Sequence, residues 1–348
     1  MIRRLLVIRF SALGDVAMTV PVVYGIARSN PDTEIFVLSR GFCEPLFSRL
    51  PSNVRFIGAD LKNRHAGIRG LGQLYRELLP YGFDAVADLH DVLRSKYLRY
   101  RFMLHGVKTM HIDKGRRDKQ ALVKKGYAAS RPLKPTFSRY ADVFLKSGLE
   151  YNEGFVSLYG KGPAVLEGRL LEVAGQKAEG GRWLGIAPFA AHEGKQLPIA
   201  SLREVIGILL KKYGDNLKIF YFGSGAEECR IIGEMEKEFP GTVSVAGKFK
   251  LAEELALMSN LDVMVSMDSA NMHLASLVNV PVVSVWGATH HYAGFLGWRQ
   301  SKENIVESGL ECRPCSIYGN RPCSRDVPYE CMKTLTGSLV DKILLSLK

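Results

Sequence analysis

Short apolar runs rich in β-branched residues alternate with longer amphipathic stretches in this chain, and the alternation happens twice. Residues 5–10, 35–38, 54–57 and 85–89 read as strands, because runs of this length bounded by polar or turn residues suit buried strands. Residues 16–29 and 68–79 between them read as amphipathic helices, and 94–104 and 137–146 follow. A Gly- and Glu-rich region, 150–181, holds one helix candidate at 164–173. The alternation then restarts at Trp183. Strand candidates are 183–187, 217–222, 242–246, 263–266 and 282–286. Helix candidates are 201–213, 226–239, 252–259 and 270–277. Strands separated by helices imply parallel sheets with right-handed crossovers. The expected fold is therefore α/β, with two Rossmann-like doubly wound domains facing across a cleft. The boundary is set at 1–160 and 161–348, and the final helix, 335–347, packs on one of the sheets or back on the N-terminal domain.

Composition sharpens the reading by exclusion. Of 348 residues, 47% are hydrophobic and 24% charged, which are ordinary globular values and argue against a disordered chain, a fibrous repeat or a disulfide-dense mini-protein. No apolar run reaches the ~20 residues of a membrane-spanning helix. The opening Met1-Ile2-Arg3-Arg4-Leu5-Leu6-Val7-Ile8 lacks a small-residue cleavage site and runs into a Gly-Asp turn, so it reads as a strand and not a signal peptide. The expected location is the cytosol, with the six Cys mostly reduced.

The charge is localised. Between Arg94 and Arg139 stand 14 basic residues against two acids, Asp113 and Asp118, an excess equal to the whole net charge of +12. Such a stretch suits an anionic partner, either a phosphorylated substrate or an acidic membrane surface, or it is simply a solvated basic face. Nucleic acid is disfavoured, since no recognition-helix, zinc-finger or aromatic RNA-binding signature accompanies it.

Four strand-to-helix loops carry unusual polar chemistry, at the strand ends where open α/β sheets bind ligands. In Ser11-Ala12-Leu13-Gly14-Asp15, the carboxylate suits a helix N-cap or a general base. Pro188 through Pro198 holds Lys195 just before a helix, as a surface lysine or a phosphate-binding cation. Phe222-Gly223-Ser224-Gly225-Ala226-Glu227-Glu228 fails the dinucleotide fingerprint because Glu228 replaces its third glycine. It reads as a bare turn or as a ribose contact through Glu227 or Glu228, with Ser224 beside them. Asp268-Ser269-Ala270-Asn271-Met272-His273 caps a helix whose amide pole suits a pyrophosphate, and His273 lies about one turn in, as a core residue or a ligand contact. The run Val285 to His291, with Thr289, closes the same sheet end. Neither a P-loop nor a nucleophile elbow is present.

Taken in order, these pieces resemble a known family, the bacterial heptosyltransferases of glycosyltransferase family 9. Ser11-Ala12-Leu13-Gly14-Asp15 is similar to that family's Ser-Leu-Gly-Asp loop. Lys195-Gln196-Leu197-Pro198 resembles its Lys-x-Trp-Pro, with Leu197 for Trp. Asp268 through His273 resembles its Asp-Thr-Gly-x-x-His, with Ala270 for Gly. Pro281 through Thr289 resembles its Pro-x-x-x-x-x-Gly-x-Thr. The resemblance spans nearly the whole chain. It implies the GT-B architecture, an acceptor-binding first domain and a donor-binding second domain. It also implies inverting, metal-independent transfer of a heptose-like sugar from a nucleoside diphosphate, ADP-heptose first, to a lipopolysaccharide or lipooligosaccharide core. Asp15 then matches the general base. Lys195, Ser224, Glu227, Asp268, Ser269, Ala270, His273 and Thr289 fall to the donor. Arg94, Arg116 and Arg117 of the basic stretch fall to an anionic glycolipid acceptor, with the enzyme touching the cytoplasmic face of the inner membrane.

The implied mechanism needs no cofactor. Asp15 takes the acceptor hydroxyl's proton as it attacks the anomeric carbon, and Lys195 with the helix pole at Ser269–Asn271 stabilises the leaving diphosphate. No Asp-x-Asp dyad or dense carboxylate cluster stands where one would hold Mg²⁺. Separately, Cys312, Cys315, Cys323 and Cys331 fall within 20 residues. They admit a structural metal, zinc first, or reduced thiols packing a loop, or disulfides. Two other functional classes remain open: a nucleotide-sugar epimerase of the same architecture, and a non-catalytic nucleotide-sugar-binding module.

Overall fold

The computed structural model describes residues 2–348. The chain divides into two compact units. The first runs up to Lys114 and takes in Lys134–Leu158. The second is Gly115–Leu133 with Tyr159–Lys348.

In the first unit, β1 (Arg4–Ile8), β2 (Glu34–Arg40), β3 (Val54–Ala59), β4 (Ala85–Asp88) and β5 (Lys108–His111) form an all-parallel sheet in the order β3-β2-β1-β4-β5. Leu5, Leu6, Val7 and Ile8 are fully buried. A parallel strand covered by helices on both faces has no solvent side, so its sequence is apolar throughout. The expected helix at 16–29 is instead two helices, Leu13–Ala17 and Val20–Ser29. Pro21 lacks the N–H needed to continue the first, and it sits in the opening turn of the second, where that N–H has no partner to lose.

In the second unit, β6 (Arg182–Ala187), β7 (Leu217–Tyr221), β8 (Thr242–Ser244), β9 (Val263–Met267), β10 (Val282–Trp286) and β11 (Ile305–Glu307) form a parallel sheet in the order β11-β10-β9-β6-β7-β8. The C-terminal helix Thr336–Ser346 shares one core with Ile186, Val205, Ile206 and Val283 through Leu339, Val340 and Ile343. It therefore packs on the second sheet. The helix expected at 164–173 begins later, at Gly168. Each sheet reverses its strand order beside its central strand, between β1 and β4 in one unit and between β6 and β9 in the other. Loops leaving such neighbouring strands diverge to opposite faces and open a crevice.

The segment Gly115–Leu133 departs from the expected division at 160, because it belongs to the second unit. It holds a helix, Arg116–Lys125, that the strand-and-helix pattern did not reveal. Local contacts explain its allegiance. Tyr127 N–H donates to the Arg313 carbonyl (3.0 Å) and Leu133 N–H to that of Tyr292 (2.8 Å). The Tyr127 ring stacks on His290 at 4.6 Å, and Lys119 Nζ lies 4.2 Å from the Phe295 ring centre.

Arg313 anchors the sheet end that carries Thr289. Its side chain is fully buried. Nε donates to the Gly287 carbonyl (2.6 Å), and Nη2 reaches the carbonyls of Trp286 (3.0 Å) and Thr289 (3.1 Å) and the Glu307 carboxylate (2.9 Å). Nη1 bonds the Ser308 carbonyl. An unpaired buried guanidinium would be prohibitively costly, whereas here every nitrogen has an acceptor. The next turn is drawn against the Lys195 loop. Ala288 N–H donates to the Gly194 carbonyl (2.7 Å), and a Cβ on Gly287 would fall 2.4 Å from that same oxygen and 2.3 Å from Met332 Sδ. Only glycine allows this approach.

Burial opposes ionisation of Glu307, but His291 and Arg313 more than offset it and hold the carboxyl at about 2. A carboxylate with a depressed folded pKa adds stability above its unfolded pKa of ~4.3 and loses it as pH falls through the folded value. Glu307→Gln, which leaves the Arg313 charge unmatched, should therefore cost about 3 kcal/mol at pH 7. In thermal melts, the gap between variant and wild type should be constant above pH 5 and narrow as the pH drops toward 2.

Candidate active site

In the first unit the site residues gather where β1 and β4 end. Asp15 was read as a helix N-cap or a general base. It is instead the third residue of the short helix Leu13–Ala17, and Ala12 is the cap. Its Oδ2 accepts from the Ala12 N–H (3.2 Å) and from Arg9 Nη2 (2.7 Å). The Asp15 side chain is one-third exposed, and Arg9 is buried. Arg9 is fixed from the other side, since Nη1 donates to the Leu89 carbonyl (2.7 Å). Tyr140 O–H donates to the Asp15 carbonyl (3.3 Å), and the Arg9 guanidinium lies 5.9 Å from the Tyr140 ring centre. Burial works against the Arg9 charge, but Tyr140, Asp15 and Asp88 outweigh it and raise its pKa.

His90, from the β4 loop, places Nε2 3.5 Å from Ser11 Oγ. Burial first, then the cations Arg9 and Lys114, push His90 down to about 3, so it is a neutral imidazole at physiological pH. Buried Asp88 shapes this loop by accepting the N–H groups of His90 (2.9 Å) and Asp91 (2.8 Å) and a bond from Arg99 (3.0 Å). Sequence reading passed over Arg9 and His90. Their signal was a charged or titratable residue one or two positions beyond an apolar strand.

In the second unit three expected donor residues meet beyond β6, β9 and β10. Asp268 Oδ2 accepts from Lys195 Nζ (3.0 Å) and from Thr289 Oγ1 (2.9 Å). Both charged side chains are largely buried, at 13% and 9% exposure, which favours an ion pair little screened by water. An ammonium has three protons, so Lys195 keeps two for an anion. Ser269 is the N-cap of the helix Ala270–Leu277, with its Oγ 3.2 Å from Ser266 Oγ. Ala270 is the first residue of that helix, and His273 is buried within it. In the loop after β7 both carboxylates are engaged locally. Glu227 is exposed and forms a double hydrogen bond with Arg230 (2.9 and 2.6 Å), which holds its carboxyl below the usual range. Glu228 turns back to accept the Ser224 N–H (2.9 Å).

The basic stretch serves several purposes. Arg99 is buried between Asp88 and Asp91, Lys134 pairs with Asp142 at 2.5 Å, and Arg139 bonds the Lys134 carbonyl at 3.2 Å. Arg94, Arg116 and Arg117 are exposed. They do not form one patch on the first unit, as expected, because Arg116 and Arg117 lie on the helix that belongs to the second.

The four expected metal-binding cysteines are free thiols, Cys312 exposed, Cys315 and Cys323 half-buried and Cys331 buried. Burial, then the neighbouring Cys312, Cys331 and Cys323, push the Cys315 thiol up to about 11, which places the four in one neighbourhood. Among the described residues, the three potential ligands whose donor atoms lie within 4.8 Å of one another are His290, His291 and Glu307 instead. That group suits a cation poorly. Tyr292 N–H donates to His290 Nδ1 (3.1 Å), which leaves the ring proton on Nε2, and Arg313 already holds Glu307.

Residues 71–322 match the family glycosyltransferase family 9 (heptosyltransferase). The chain is 23% identical over 298 residues to lipopolysaccharide heptosyltransferase 3 of Escherichia coli, covering 84% of this chain and 85% of that protein. A family 9 glycosyl transferase from Veillonella parvula shares the fold with a TM-score of 0.74 at 18% identity, over 99% of this chain and 97% of that one. The E. coli ADP-heptose LPS heptosyltransferase II does so with a TM-score of 0.65 at 16% identity, over 99% and 98%. Beyond these likenesses, the match covers most of the chain and both groups of strand-end loops from β4 onward. The chain is a member of glycosyltransferase family 9, an enzyme built from the two Rossmann-like domains of the GT-B class.

Proposed function

We propose that this glycosyltransferase moves a heptose-like sugar from a nucleoside diphosphate, ADP-heptose first, to a phosphorylated lipopolysaccharide core acceptor, with inversion and without a metal ion in the transfer step. The observation that carries this is the Lys195–Asp268–Thr289 array beside the first turn of the helix Ala270–Leu277. A cation with two free protons and a set of helix-terminal amides suit a leaving diphosphate. Asp268 steers Lys195 and, with Thr289 bonded to the same carboxylate oxygen, stays in place as charge grows on the phosphates. His273, Ser269 and Ala270 contribute to the same donor pocket. Glu227 is assigned a weaker role, because it must leave Arg230 to reach a ribose.

Asp15 is the general base in this reading. Arg9 and the Ala12 amide hold its carboxylate in place. Arg94, Arg116 and Arg117 attract the anionic acceptor. Among the described residues, no helix is long and apolar enough to cross a membrane. On Leu93–Leu104, however, Leu93 (87% exposed), Leu104 (78%), Tyr100 and Met103 stand beside Arg94 in water. Apolar side chains flanked by basic ones are suited to the surface of an anionic bilayer. This supports peripheral contact with the cytoplasmic face of the inner membrane.

Asp15→Asn should lower kcat for transfer about 10²–10⁴-fold, with melting temperature measured alongside because Arg9 loses its partner. Near-normal turnover in a folded variant would refute the base assignment. Incubating donor alone separates transfer from epimerisation, which needs no acceptor. Leu93→Ser with Leu104→Ser should weaken binding to anionic vesicles, and added salt should weaken acceptor binding more than donor binding. Equal salt effects on both substrates would remove the basic residues from the acceptor side.

The thiols of Cys312, Cys315, Cys323 and Cys331 are proposed to hold a structural zinc, which would draw them into a tetrahedral set and stabilise the loop they share. Purified protein should contain one equivalent of metal by elemental analysis and lose it in Cys315→Ser; metal-free wild-type protein of normal stability would leave these residues as packing thiols.

A further inference from the structure

A pocket of about 550 Å³ lies wholly within the second unit, lined by none of the side chains assigned so far. One wall is the helix Arg116–Lys125, through Gln120, Val123 and Lys124, which fall on one face at the spacing of a helical turn. The other is the loop Ser316–Arg321, through Ser316, Ile317, Tyr318, Asn320 and Arg321. Its volume is within the usual range for small-ligand sites.

The loop is held in one shape. Ser316 Oγ accepts the N–H groups of Tyr318 (3.3 Å) and Gly319 (3.1 Å) and donates to Asn320 Oδ1 (2.7 Å), which leaves the Asn320 amide nitrogen as a donor. Cys315 and Ser316 hang from the Ala288 carbonyl at 2.9 and 3.3 Å. Gly319 has a φ of +79°, and a Cβ there would lie 2.5 Å from Lys195 Cδ, so this loop rests on the stem of the lysine assigned to the donor. The lining supplies two cations, Lys124 and Arg321, with no carboxylate partner among the described residues. It also supplies two amide side chains and the half-exposed Tyr318 ring.

We propose that this pocket binds a phosphorylated sugar. The cations and amide donors suit a phosphoryl group, and Tyr318 offers an aromatic face to the apolar side of a sugar ring. The role as a subsite for the acceptor rests on the transferase reading; the binding itself does not. A phosphorylated sugar here would sit on the same unit as the donor array, one loop away from Lys195.

The test uses the full chain saturated with ADP, and measures binding of glucose 6-phosphate, inorganic phosphate and glucose by titration calorimetry. Glucose 6-phosphate should bind better than either fragment. Lys124→Gln with Arg321→Gln should weaken it about tenfold or more, the loss expected for charge-assisted hydrogen bonds. Tyr318→Ala should reduce its advantage over inorganic phosphate. These positions are at the surface, so melting temperatures should not move. Unchanged affinity in the double variant overturns the proposal, as do equal affinities for glucose and glucose 6-phosphate, or loss of ADP binding in the Lys124 and Arg321 variants, which would assign the pocket to the donor. No donor sugar or turnover enters the measurement, so failure of heptosyl transfer leaves this result standing and failure here leaves the transferase reading standing.

Discussion

The second unit is organised around a charge that has no access to water. Arg313 lies in an irregular loop after the last strand, yet its guanidinium reaches the backbone carbonyls of Trp286, Gly287, Ser308 and Thr289 and the Glu307 carboxylate. A loop leaving a strand has carbonyls with no ladder partner, and burying them unsatisfied would cost about as much as several lost hydrogen bonds. One planar cation satisfies them together and so fixes where Thr289 stands. Thr289 then fixes Asp268, and Asp268 fixes Lys195. Precision in the anion-binding array is thus inherited from an interaction that touches no substrate.

The first unit solves a similar problem with the opposite sign. Its buried carboxylate, Asp88, accepts the amides of His90 and Asp91 and is neutralised by Arg99. The β4 loop is thereby set beside the β1 loop, where Arg9 holds Asp15. Both units use the same topological feature, the reversal of strand order at the central strand. Each also steadies its site with a buried ion whose partners are mostly backbone.

Much of this architecture was legible in the residues. Parallel strands covered on both faces must be apolar along their length, and Leu5 to Ile8 or Val263 to Met267 announce themselves for that reason. The short edge strands β5 and β11 did not, because only a neighbour on one side selects them and their residues are mixed. The helix Arg116–Lys125 was missed because it buries little beyond Leu122 and Lys119, and its allegiance depends on Tyr127 and Leu133, whose partners lie more than 150 residues away. At the site, the strand-end position of Lys195, Asp268 and Thr289 could be read, but not that one carboxylate would join them. Glu227 and Glu228 could not be told apart, since rotamers and the nearby Arg230 decide which turns inward. Arg9 carried no motif of its own, and only the fold sets it against Asp15.

The interleaving of the chain has an implication for how the molecule is made. Residues 115–133 emerge from the ribosome with the first unit around them, but the surfaces they dock on, Tyr292, His290 and Arg313, are synthesised far later. Folding during translation must leave this basic segment waiting, while the five strands of the first sheet, all synthesised before it, can already pair. A fragment beginning at Tyr159 would carry every strand of the second sheet and still lack the covering that Tyr127 gives His290, and the two units cannot be parted by a single cut between genes or by a protease without dismantling one of them.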